Sequence, residues 1–313
     1  MSRLLTAARC CARAASAAPA ARGAPARAFS AGAPPPPPGG APQTHFGFET
    51  VDAAGKAARV ADVFRRVAEK YDVMNDLMSA GVHRLWKDEF VRMAGRVTAP
   101  AGAGATCLDV AGGTGDVAFR IADSMARSFV RPAAAPRIIV SDINAAMLDV
   151  GRARAAARGL EAAAAADALA PRLEWRVGDA EALEWVPDNS VDLYTIAFGI
   201  RNCTHVDRVL REAHRVLRPG GRFMCLEFSH VTLPGLREAY EAYSFAVIPA
   251  MGAAVAGDRA SYQYLVESIR NFPTQERFAD MIADAGFAGV DYTNFTFGVA
   301  AVHSGYKLAP RGA

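Results

Sequence analysis

CLDVAGGTGD, at residues 107–116, joins a short apolar run to three glycines and two aspartates. The apolar run predicts a buried strand, and the glycines predict a tight turn that opens a helix within residues 112–129. A strand that ends in such a turn exposes backbone N–H groups and lets a ligand approach without meeting Cβ atoms. We therefore expect a ligand to lie against Gly112, Gly113 and Gly115.

Strands and helices alternate after this turn, which predicts an α/β fold. At this segment length, alternation gives a mostly parallel sheet with helices on both faces. The predicted strands cover residues 105–111, 137–143, 173–180, 191–199 and 222–229, with helices at 144–158 and 206–218, a further helix within 268–286, and two closing strands within 289–308.

Residues 50–95, ahead of the glycine turn, have apolar side chains spaced three and four apart, with charged residues between them. This spacing predicts amphipathic helices. We expect these helices to fold over the ligand site as a lid.

The glycine turn is compatible with three ligand classes, which differ in the residues they require. A P-loop needs a lysine after the glycines, and none follows here. A dinucleotide fold prefers GxGxxG, a spacing that residues 112–115 do not have. S-adenosylmethionine (SAM) has a cationic end that suits Asp109, whereas a pyrophosphate would be repelled by Asp109 and Asp116. A simple tight turn with no ligand remains an alternative.

Acidic residues follow two of the predicted strands. Asp142 ends the second strand, where a carboxylate can accept hydrogen bonds from both hydroxyls of a ribose; its structural alternative is a helix N-cap. Asp179 follows the third strand and is placed to meet an adenine amino group, with the Ala180 backbone alongside; a turn acid is its structural alternative. These positions favour an adenosyl ligand.

The motifs DVAGGTGD, SDIN, TIAFGIRN, LEFS and NFP together resemble the ubiquinone/menaquinone C-methyltransferase family. The resemblance extends from about Phe46 to Leu308, with YDVMND (71–76) near its start. It implies a class I SAM-dependent methyltransferase (Rossmann-like) fold and SAM contacts at Thr114, Asp142, Asp179 and Ala180. The chain departs from the pattern in a longer stretch between Asp109 and Asp142 and in an Ala-rich insert near residue 165.

The resemblance also implies an activity and a setting. The activity is transfer of a methyl group to a ring carbon of a polyprenyl benzoquinol, specifically 2-methoxy-6-polyprenyl-1,4-benzoquinol, in ubiquinone biosynthesis. We expect other ubiquinone-biosynthesis proteins as partners in a multi-subunit complex, and a homodimer is possible. A demethylmenaquinol substrate, a non-catalytic scaffold and an NAD dehydrogenase are the alternatives, and the glycine spacing disfavours the last of these.

Methylation of a ring carbon requires a site that holds the ring and stabilises a phenolate. Arg201 and Asn202 follow the fourth strand, at the sheet edge where ligands bind in open α/β folds. We hypothesise that Arg201 binds the phenolate or polarises a water that acts as the base, and that Asn202 orients a hydroxyl. A salt bridge is the structural alternative for Arg201. Tyr71, on the predicted lid, is the third catalytic candidate, with core packing as its alternative.

Two further residues are weaker candidates for the base. Glu227, at the end of the fifth strand, is a base or a buried structural acid, and His230 is the other possibility. The histidines of the chain have no metal-ligand spacing, so no metal site is expected.

Residues 1–40 contain five arginines and no acidic residue. This composition predicts a mitochondrial transit peptide over residues 1–29 and a Pro/Gly-rich linker over 30–45. The family resemblance implies a methyltransferase domain over 46–313. A disordered Ala/Pro tail and a chloroplast address are the alternatives.

Without those arginines, the 35 basic and 32 acidic residues of the chain leave a net charge of −2, which argues against a nucleic-acid partner. The three cysteines beyond the transit peptide have no CxxC spacing, and buried thiols are expected.

Residues 245–257 form the longest apolar run, with 13 residues and a central proline. This run is too short to span a bilayer. We expect the chain to contact the matrix side of the mitochondrial inner membrane peripherally. Residues 240–251, with Phe245, Ile248 and Met251, are the candidates for lining a polyprenyl channel or resting on the bilayer, and ordinary helix packing is the alternative.

Overall fold

The computed structural model describes residues 43–67, 71–95, 97, 104–127 and 132–309, without the side chains of Val67, Tyr71 and Asp72. The predicted transit peptide and most of the predicted linker lie outside the described residues.

The described chain begins with a hairpin and three helices. The sequence analysis predicted the helices but not the hairpin, whose turn at Gly47 has a positive φ of 59°. The elements of this part are β1 (Gln43–Phe46), β2 (Glu49–Asp52), α1 (Ala53–Val67), α2 (Tyr71–Ser79) and α3 (Val82–Ala94).

A sheet of seven strands forms the centre of the molecule. Its strands are β3 (Thr106–Val110), β4 (Arg137–Asp142), β5 (Arg172–Val177), β6 (Val191–Ala197), β7 (Leu217–Phe228), β8 (Ala288–Phe295) and β9 (Ala300–Tyr306). The strand order is β5-β4-β3-β6-β7-β9-β8, in which β3 to β7 are parallel and β9 is antiparallel to both of its neighbours. This confirms the predicted α/β fold. The strand order changes direction at β3, because β4 and β5 lie on one side of it while β6 and β7 lie on the other. Ligands bind in such sheets at this switch point, between β3 and β6.

Helices cover both faces of the sheet. The helices that follow β3 are α4 (Asp116–Ala126), α5 (Ala145–Ala157), α6 (Leu160–Ala166), α7 (Val206–Val216), α8 (Leu236–Ala246), α9 (Ile248–Met251), α10 (Arg259–Asn271) and α11 (Gln275–Asp284). Successive strand residues point to opposite faces, as Phe223 and Met224 illustrate, and they join two separate apolar clusters. Because both faces of the sheet are buried, the strands have nearly continuous apolar sequences instead of alternating ones.

Two features differ from the predictions. The helix predicted within 268–286 is α11, whose start is capped by the Thr274 side chain accepting from the Arg277 N–H. A separate helix that was not predicted, α10, ends at Asn271 before Pro273. Strand β7 begins at Leu217 rather than at residue 222, so it includes the last two residues of the helix that was predicted over 206–218. Gly220, within β7, has a φ of 84°.

Candidate functional site

A cleft of about 550 Å³ lies over the carboxyl ends of β3, β4 and β6. Its floor is the glycine turn, where the Gly112 N–H donates to the Ser141 carbonyl at 3.0 Å and ties β3 to β4. Ala111 and Phe198, which follow β3 and β6, have positive φ values of 50° and 55°. Such conformations are costly for residues with a side chain and cluster at functional sites.

The three glycines of the turn have different structural roles. A Cβ on Gly112 would lie 2.6 Å from Val140 Cγ1, so glycine is required for strand packing. Gly113 has a φ of 54° and nothing closer than 3.5 Å around a Cβ, and it faces the cleft. Gly115 does not line the cleft. A Cβ there would meet the Trp175 ring at 2.6 Å, so Gly115 has a packing role, and its cofactor contact stays a prediction.

Asp109 lies beneath the turn and is 1 % exposed. Its Oδ1 accepts a hydrogen bond from the Thr195 hydroxyl at 2.7 Å, whereas its Oδ2 is buried without a partner. Burial raises the pKa of this carboxyl to about 7, although the hydrogen bond from Thr195 works in the opposite direction. A buried carboxylate oxygen without a donor, beside an open cleft, is suited to a cationic ligand group.

Asp142, at the end of β4, accepts from two backbone N–H groups. Gly113 donates to Oδ2 at 2.9 Å and Asn144 donates to Oδ1 at 2.8 Å. The N-cap of α5 is Asn144, so the structural alternative for Asp142 was wrong. Since each carboxylate oxygen has a second lone pair, Asp142 can still accept from two ligand hydroxyls at the cleft wall.

The remaining predicted cofactor residues also line the cleft. Asp179 is exposed and its Oδ1 accepts from the Glu181 N–H at 2.9 Å, so it also stabilises a turn. Ala180 is buried beside it. The Thr114 hydroxyl accepts from Arg154 Nη1 at 3.0 Å, which fixes the side chain at the edge of the turn.

Helix α1 forms the roof of the cleft, as expected for a lid. Small and apolar residues of this helix face the glycine turn, among them Ala53, Ala57, Val60 and Phe64. Lys56, 6 % exposed, does not line the cleft, and it donates from Nζ to the Cys203 carbonyl at 2.9 Å. The helix is therefore attached directly to the loop that follows β6.

The residues of the cleft fit SAM. The partnerless Asp109 Oδ2 suits the cationic methionine end, and Gly113 leaves space at the turn. Asp142 suits the ribose, and the apolar roof suits the nucleoside. Asp109, Gly112, Gly113, Thr114, Asp142, Asp179 and Ala180 would hold the cofactor.

A second cavity of about 470 Å³ adjoins the cleft. Its lining is mostly apolar and aromatic and comes from α2, α3, α8 and α10. Four residues line both spaces, namely Phe64, Lys87, Phe198 and Asn202. The arrangement places one ligand beside another with these four side chains at the junction.

Arg201 lines the second cavity and is almost fully buried. Its Nη1 donates to Glu227 Oε1 at 2.9 Å, so the salt-bridge alternative describes part of its role. Burial raises the pKa of Glu227 and Arg201 partly offsets this effect. Glu227 does not line the cavity, and its position makes it a positioning group for Arg201 rather than a base. Arg201 Nε is buried without a hydrogen-bond partner.

Asn202 ends a short 3₁₀ turn (Ile200–Asn202) after β6. Its Oδ1 accepts from the Tyr264 hydroxyl at 3.0 Å, which leaves its amide protons to donate into the junction. Burial raises the pKa of Tyr264 to about 12, so this hydroxyl keeps its proton. The Tyr264 ring stacks on Phe46 at 4.1 Å, a contact that attaches the β1–β2 hairpin to α10.

The third catalytic candidate, Tyr71, has a side chain outside the described part of the structure. Its helix does contribute Asn75 and Met78 to the second cavity. His230 lines a different, smaller pocket, where its Nε2 lies 2.7 Å from the Phe272 carbonyl. Its position does not support a role as the base.

The segment HRLWK (83–87) on α3 was not predicted to be functional. His83, Trp86 and Lys87 all line the second cavity. Burial lowers the pKa of His83 to about 4, and its Nδ1 lies 3.0 Å from Ser79 Oγ. The segment has two aromatic rings, of His83 and Trp86, and two cationic side chains, of Arg84 and Lys87, within five positions. This pattern could have indicated a site, but it also fits the amphipathic spacing of α3.

The residues predicted to line a polyprenyl channel differ in their positions. Tyr240, Tyr243 and Ile248 line the second cavity, whereas Phe245 and Met251 do not. Leu265 and Ile269 of α10 complete the apolar wall. Within the described ranges no cluster of three or more metal-ligating residues occurs.

The family model and the sequence relatives agree on one family. The model of the ubiE/COQ5 methyltransferase family matches residues 52–307. The chain is 55 % identical over 265 residues to a ubiquinone/menaquinone biosynthesis C-methyltransferase UbiE of Dinoroseobacter shibae, covering 85 % of this chain and 97 % of that one. It is 54 % identical over 273 residues to the mitochondrial 2-methoxy-6-polyprenyl-1,4-benzoquinol methylase of Arabidopsis thaliana, covering 85 % and 90 %.

The human protein of the same name is 48 % identical over 294 residues, covering 86 % of this chain and 85 % of that one. Among solved structures, a Thermotoga maritima SAM-dependent methyltransferase, described as a possible histamine N-methyltransferase, has a TM-score of 0.50 at 17 % identity. It covers 79 % of this chain and 98 % of its own, and it supports the fold alone.

Proposed function

Since the chain belongs to the ubiE/COQ5 methyltransferase family and uses SAM, we propose that it methylates a ring carbon of 2-methoxy-6-polyprenyl-1,4-benzoquinol in ubiquinone biosynthesis. The relatives that carry this substrate in their names support the proposal. The observation that carries it is the apolar second cavity that meets the SAM cleft across four shared residues. That cavity has the lining expected for a quinol ring with an apolar tail.

When bound, SAM would supply a methyl group that its sulfonium activates for transfer to a ring carbon. The protein residues hold and orient the two ligands. Asp109 and Asp142 hold the methionine and ribose ends, and α1 covers the cleft and excludes water.

Arg201 and Asn202 are proposed to orient the quinol ring. The Asn202 amide donates to a ring hydroxyl, and Arg201 directs its guanidinium into the same cavity while Glu227 balances its charge. Substitution of Arg201 by Ala should lower turnover and leave SAM affinity near normal. Unchanged turnover would remove Arg201 from the mechanism.

The polyprenyl tail is proposed to leave the ring along α8 and α10. Tyr240, Tyr243, Ile248 and Leu265 line this side of the cavity, and Leu236 lies at its exposed rim. If the tail left this wall for water, its apolar surface would become exposed at a large cost in free energy. The tail therefore favours the wall.

The experiment is an assay of purified protein, without residues 1–29, with SAM and short-chain benzoquinol and naphthoquinol analogues. We expect a product 14 mass units heavier from the benzoquinol, about one CH₂ group. A faster reaction with the naphthoquinol would favour the demethylmenaquinol alternative, which the name of the bacterial relative supports. Absence of both products at normal SAM affinity would contradict a catalytic role and favour the scaffold.

A mitochondrial location is proposed from the arginine-rich N-terminal sequence and from the names of the mitochondrial relatives. The finer proposal is peripheral binding to the matrix side of the inner membrane. Of the helices that the structure describes, none combines the length and apolar character needed to cross a bilayer. Residues 1–45 fused to a fluorescent protein should direct it to mitochondria, and carbonate extraction should release the full chain from the inner membrane.

Partnership with other ubiquinone-biosynthesis proteins in a multi-subunit complex, and formation of a homodimer, are also proposals. Light scattering of the purified chain tests the homodimer. Co-purification from mitochondria with identified ubiquinone-biosynthesis proteins tests the complex. A chain that migrates alone in both experiments would contradict these proposals.

A further inference from the structure

The junction between the two cavities holds one positive charge that the mechanism above does not use. Of the four residues that line both spaces, Phe64 and Phe198 are apolar and Asn202 is neutral, so Lys87 is the only cation shared by them in the described ranges. Its side chain is 13 % exposed. If the proposed function holds, methyl transfer takes place across this junction, and Lys87 borders the reacting atoms.

One of the protons of the Lys87 ammonium group has a protein acceptor. Nζ donates to Asp116 Oδ2 at 2.8 Å, and it lies 6.0 Å from the centre of the Phe198 ring. An ammonium group has three donors and no acceptor, so it can donate to a ligand oxygen as well. The carboxylate of Asp116 fixes Nζ in place and balances its charge, which allows a cationic methyl donor to approach.

The carboxylate of Asp116 is held ionised for this task. Burial works to raise its pKa, but Lys87 and Arg120 outweigh burial, and the pKa of Asp116 is lowered. Arg120 reaches the other carboxylate oxygen from α4 and lines neither cavity. Lys87 and Arg120 thus share one partner, but only Lys87 borders the ligand spaces.

A quinol ring carbon becomes a stronger nucleophile when the neighbouring hydroxyl loses its proton. Arg201 lines the second cavity but not the SAM cleft, and Asn202 at the junction is neutral. We propose that Lys87 is a catalytic residue that donates a hydrogen bond to the ring oxygen next to the methylated carbon and stabilises it as the phenolate. The hydroxyl proton passes to solvent, and no covalent bond to Lys87 forms.

The alternative is that Lys87 only joins α3 to α4 through Asp116. Three variants separate the two roles, namely Lys87→Met, Lys87→Arg and Arg120→Met as the matched control. If Lys87 stabilises the phenolate, Lys87→Met should lower kcat roughly 100-fold, as loss of one donor to a developing oxyanion does. Lys87→Arg should recover part of kcat, and the kcat of Arg120→Met should stay close to that of the wild type. The SAM affinity of all three variants, measured by calorimetry, should stay within about threefold of the wild-type value.

The pH profile gives a readout that a structural role would not change. The kcat/KM of Lys87→Met should rise with pH toward the wild-type value, because the free quinol then ionises without help. Equal losses in Lys87→Met and Arg120→Met, or a Lys87→Met profile parallel to that of the wild type, would overturn the proposal. Should Lys87→Met melt well below the wild type, Lys87→Gln replaces it under the same criteria.

A chromogenic phenol tests the proposal without turnover. The absorbance of 4-nitrophenol reports its ionisation, and in the presence of S-adenosylhomocysteine the wild type should shift it toward the phenolate. Lys87→Met should lose this shift and Arg120→Met should keep it. A shift that survives in Lys87→Met, or no shift in the wild type, would contradict the role of Lys87. Because this experiment needs no methyl transfer, it remains decisive if the proposed substrate is wrong.

Discussion

At the residue scale, the cleft depends on carboxylates whose surroundings differ. Asp142 has both oxygens occupied by backbone N–H groups, whereas Asp109 has one oxygen satisfied and one without a partner. Both strand-end positions could be predicted, because an acid after an apolar run next to glycines is visible in the sequence. The different surroundings of the two Asp109 oxygens could not be predicted, because the donor to Oδ1 is Thr195, which lies 86 positions away in the sequence.

The pKa of Asp109 predicts how SAM binding varies with pH. Below a pH of about 7 this carboxyl is protonated in the free protein, so binding of a cation must first remove the proton. SAM affinity should therefore rise as the pH increases through about 7, and Asp109→Asn should bind more weakly with this part of the dependence missing. Calorimetry of both proteins across this pH range measures the two affinities. The difference between the two pH profiles removes the contribution from the titration of SAM itself.

Parallel pH profiles for wild type and Asp109→Asn would show that Asp109 does not titrate with binding. Stability gives an independent check. The unfolded chain releases this proton near pH 3.8 and the folded chain near 7, so the contribution of Asp109 to the free energy of unfolding falls as the pH rises across that interval. The stability of wild type relative to Asp109→Asn should decline accordingly.

At the element scale, glycines at helix starts serve different purposes. Gly115 begins α4 with a φ of 83°, and a Cβ there would meet Trp175 at 2.6 Å. Gly159 begins α6 with a φ of 69°, and nothing lies within 4 Å of its Cβ position. The sequence shows both glycines, but the contact with Trp175 follows from the docking of β5 against α4 and cannot be read from the pattern.

Substitution of each glycine by Ala separates packing from backbone strain. Gly159→Ala should lower the free energy of unfolding by about 1 kcal/mol, the cost of a left-handed alanine. Gly115→Ala should cost about 1–3 kcal/mol more, because the helix must move away from Trp175. Chemical denaturation measures both. Equal losses would mean that the contact at Gly115 relaxes freely, and the packing role assigned to it would be wrong.

The lid helix α1 is held by an unusual contact. Lys56 is buried and donates to the Cys203 carbonyl, and burial lowers its pKa. Lys56→Met should speed amide hydrogen exchange over α1 and weaken SAM binding roughly 10-fold, the value of one hydrogen bond from a charged group. Arg65→Met is the matched control on the same helix, since that side chain is 72 % exposed. Unchanged exchange in Lys56→Met would show that the lid is closed by other contacts.

At the scale of the whole molecule, the alternating pattern was sufficient to predict the sheet. Strands such as β3 and β6 are short, apolar and buried on both faces, so their positions follow from local sequence. The second cavity was not predictable. It forms where α2, α3, α8 and α10 meet above the sheet, and residues such as His83 and Tyr264 come together only through that packing. The β1–β2 hairpin was missed for a different reason, since its four-residue strands are too short for a clear alternation.

The central claim is that a methyl donor in the glycine cleft faces a quinol ring in the adjoining cavity. Transfer from SAM with a deuterated methyl group, followed by mass spectrometry and NMR of the product, tests it most directly. The account predicts one labelled methyl group bonded to a ring carbon of the benzoquinol analogue. A label found on a ring oxygen, or no labelled product from protein that binds SAM normally, would contradict it.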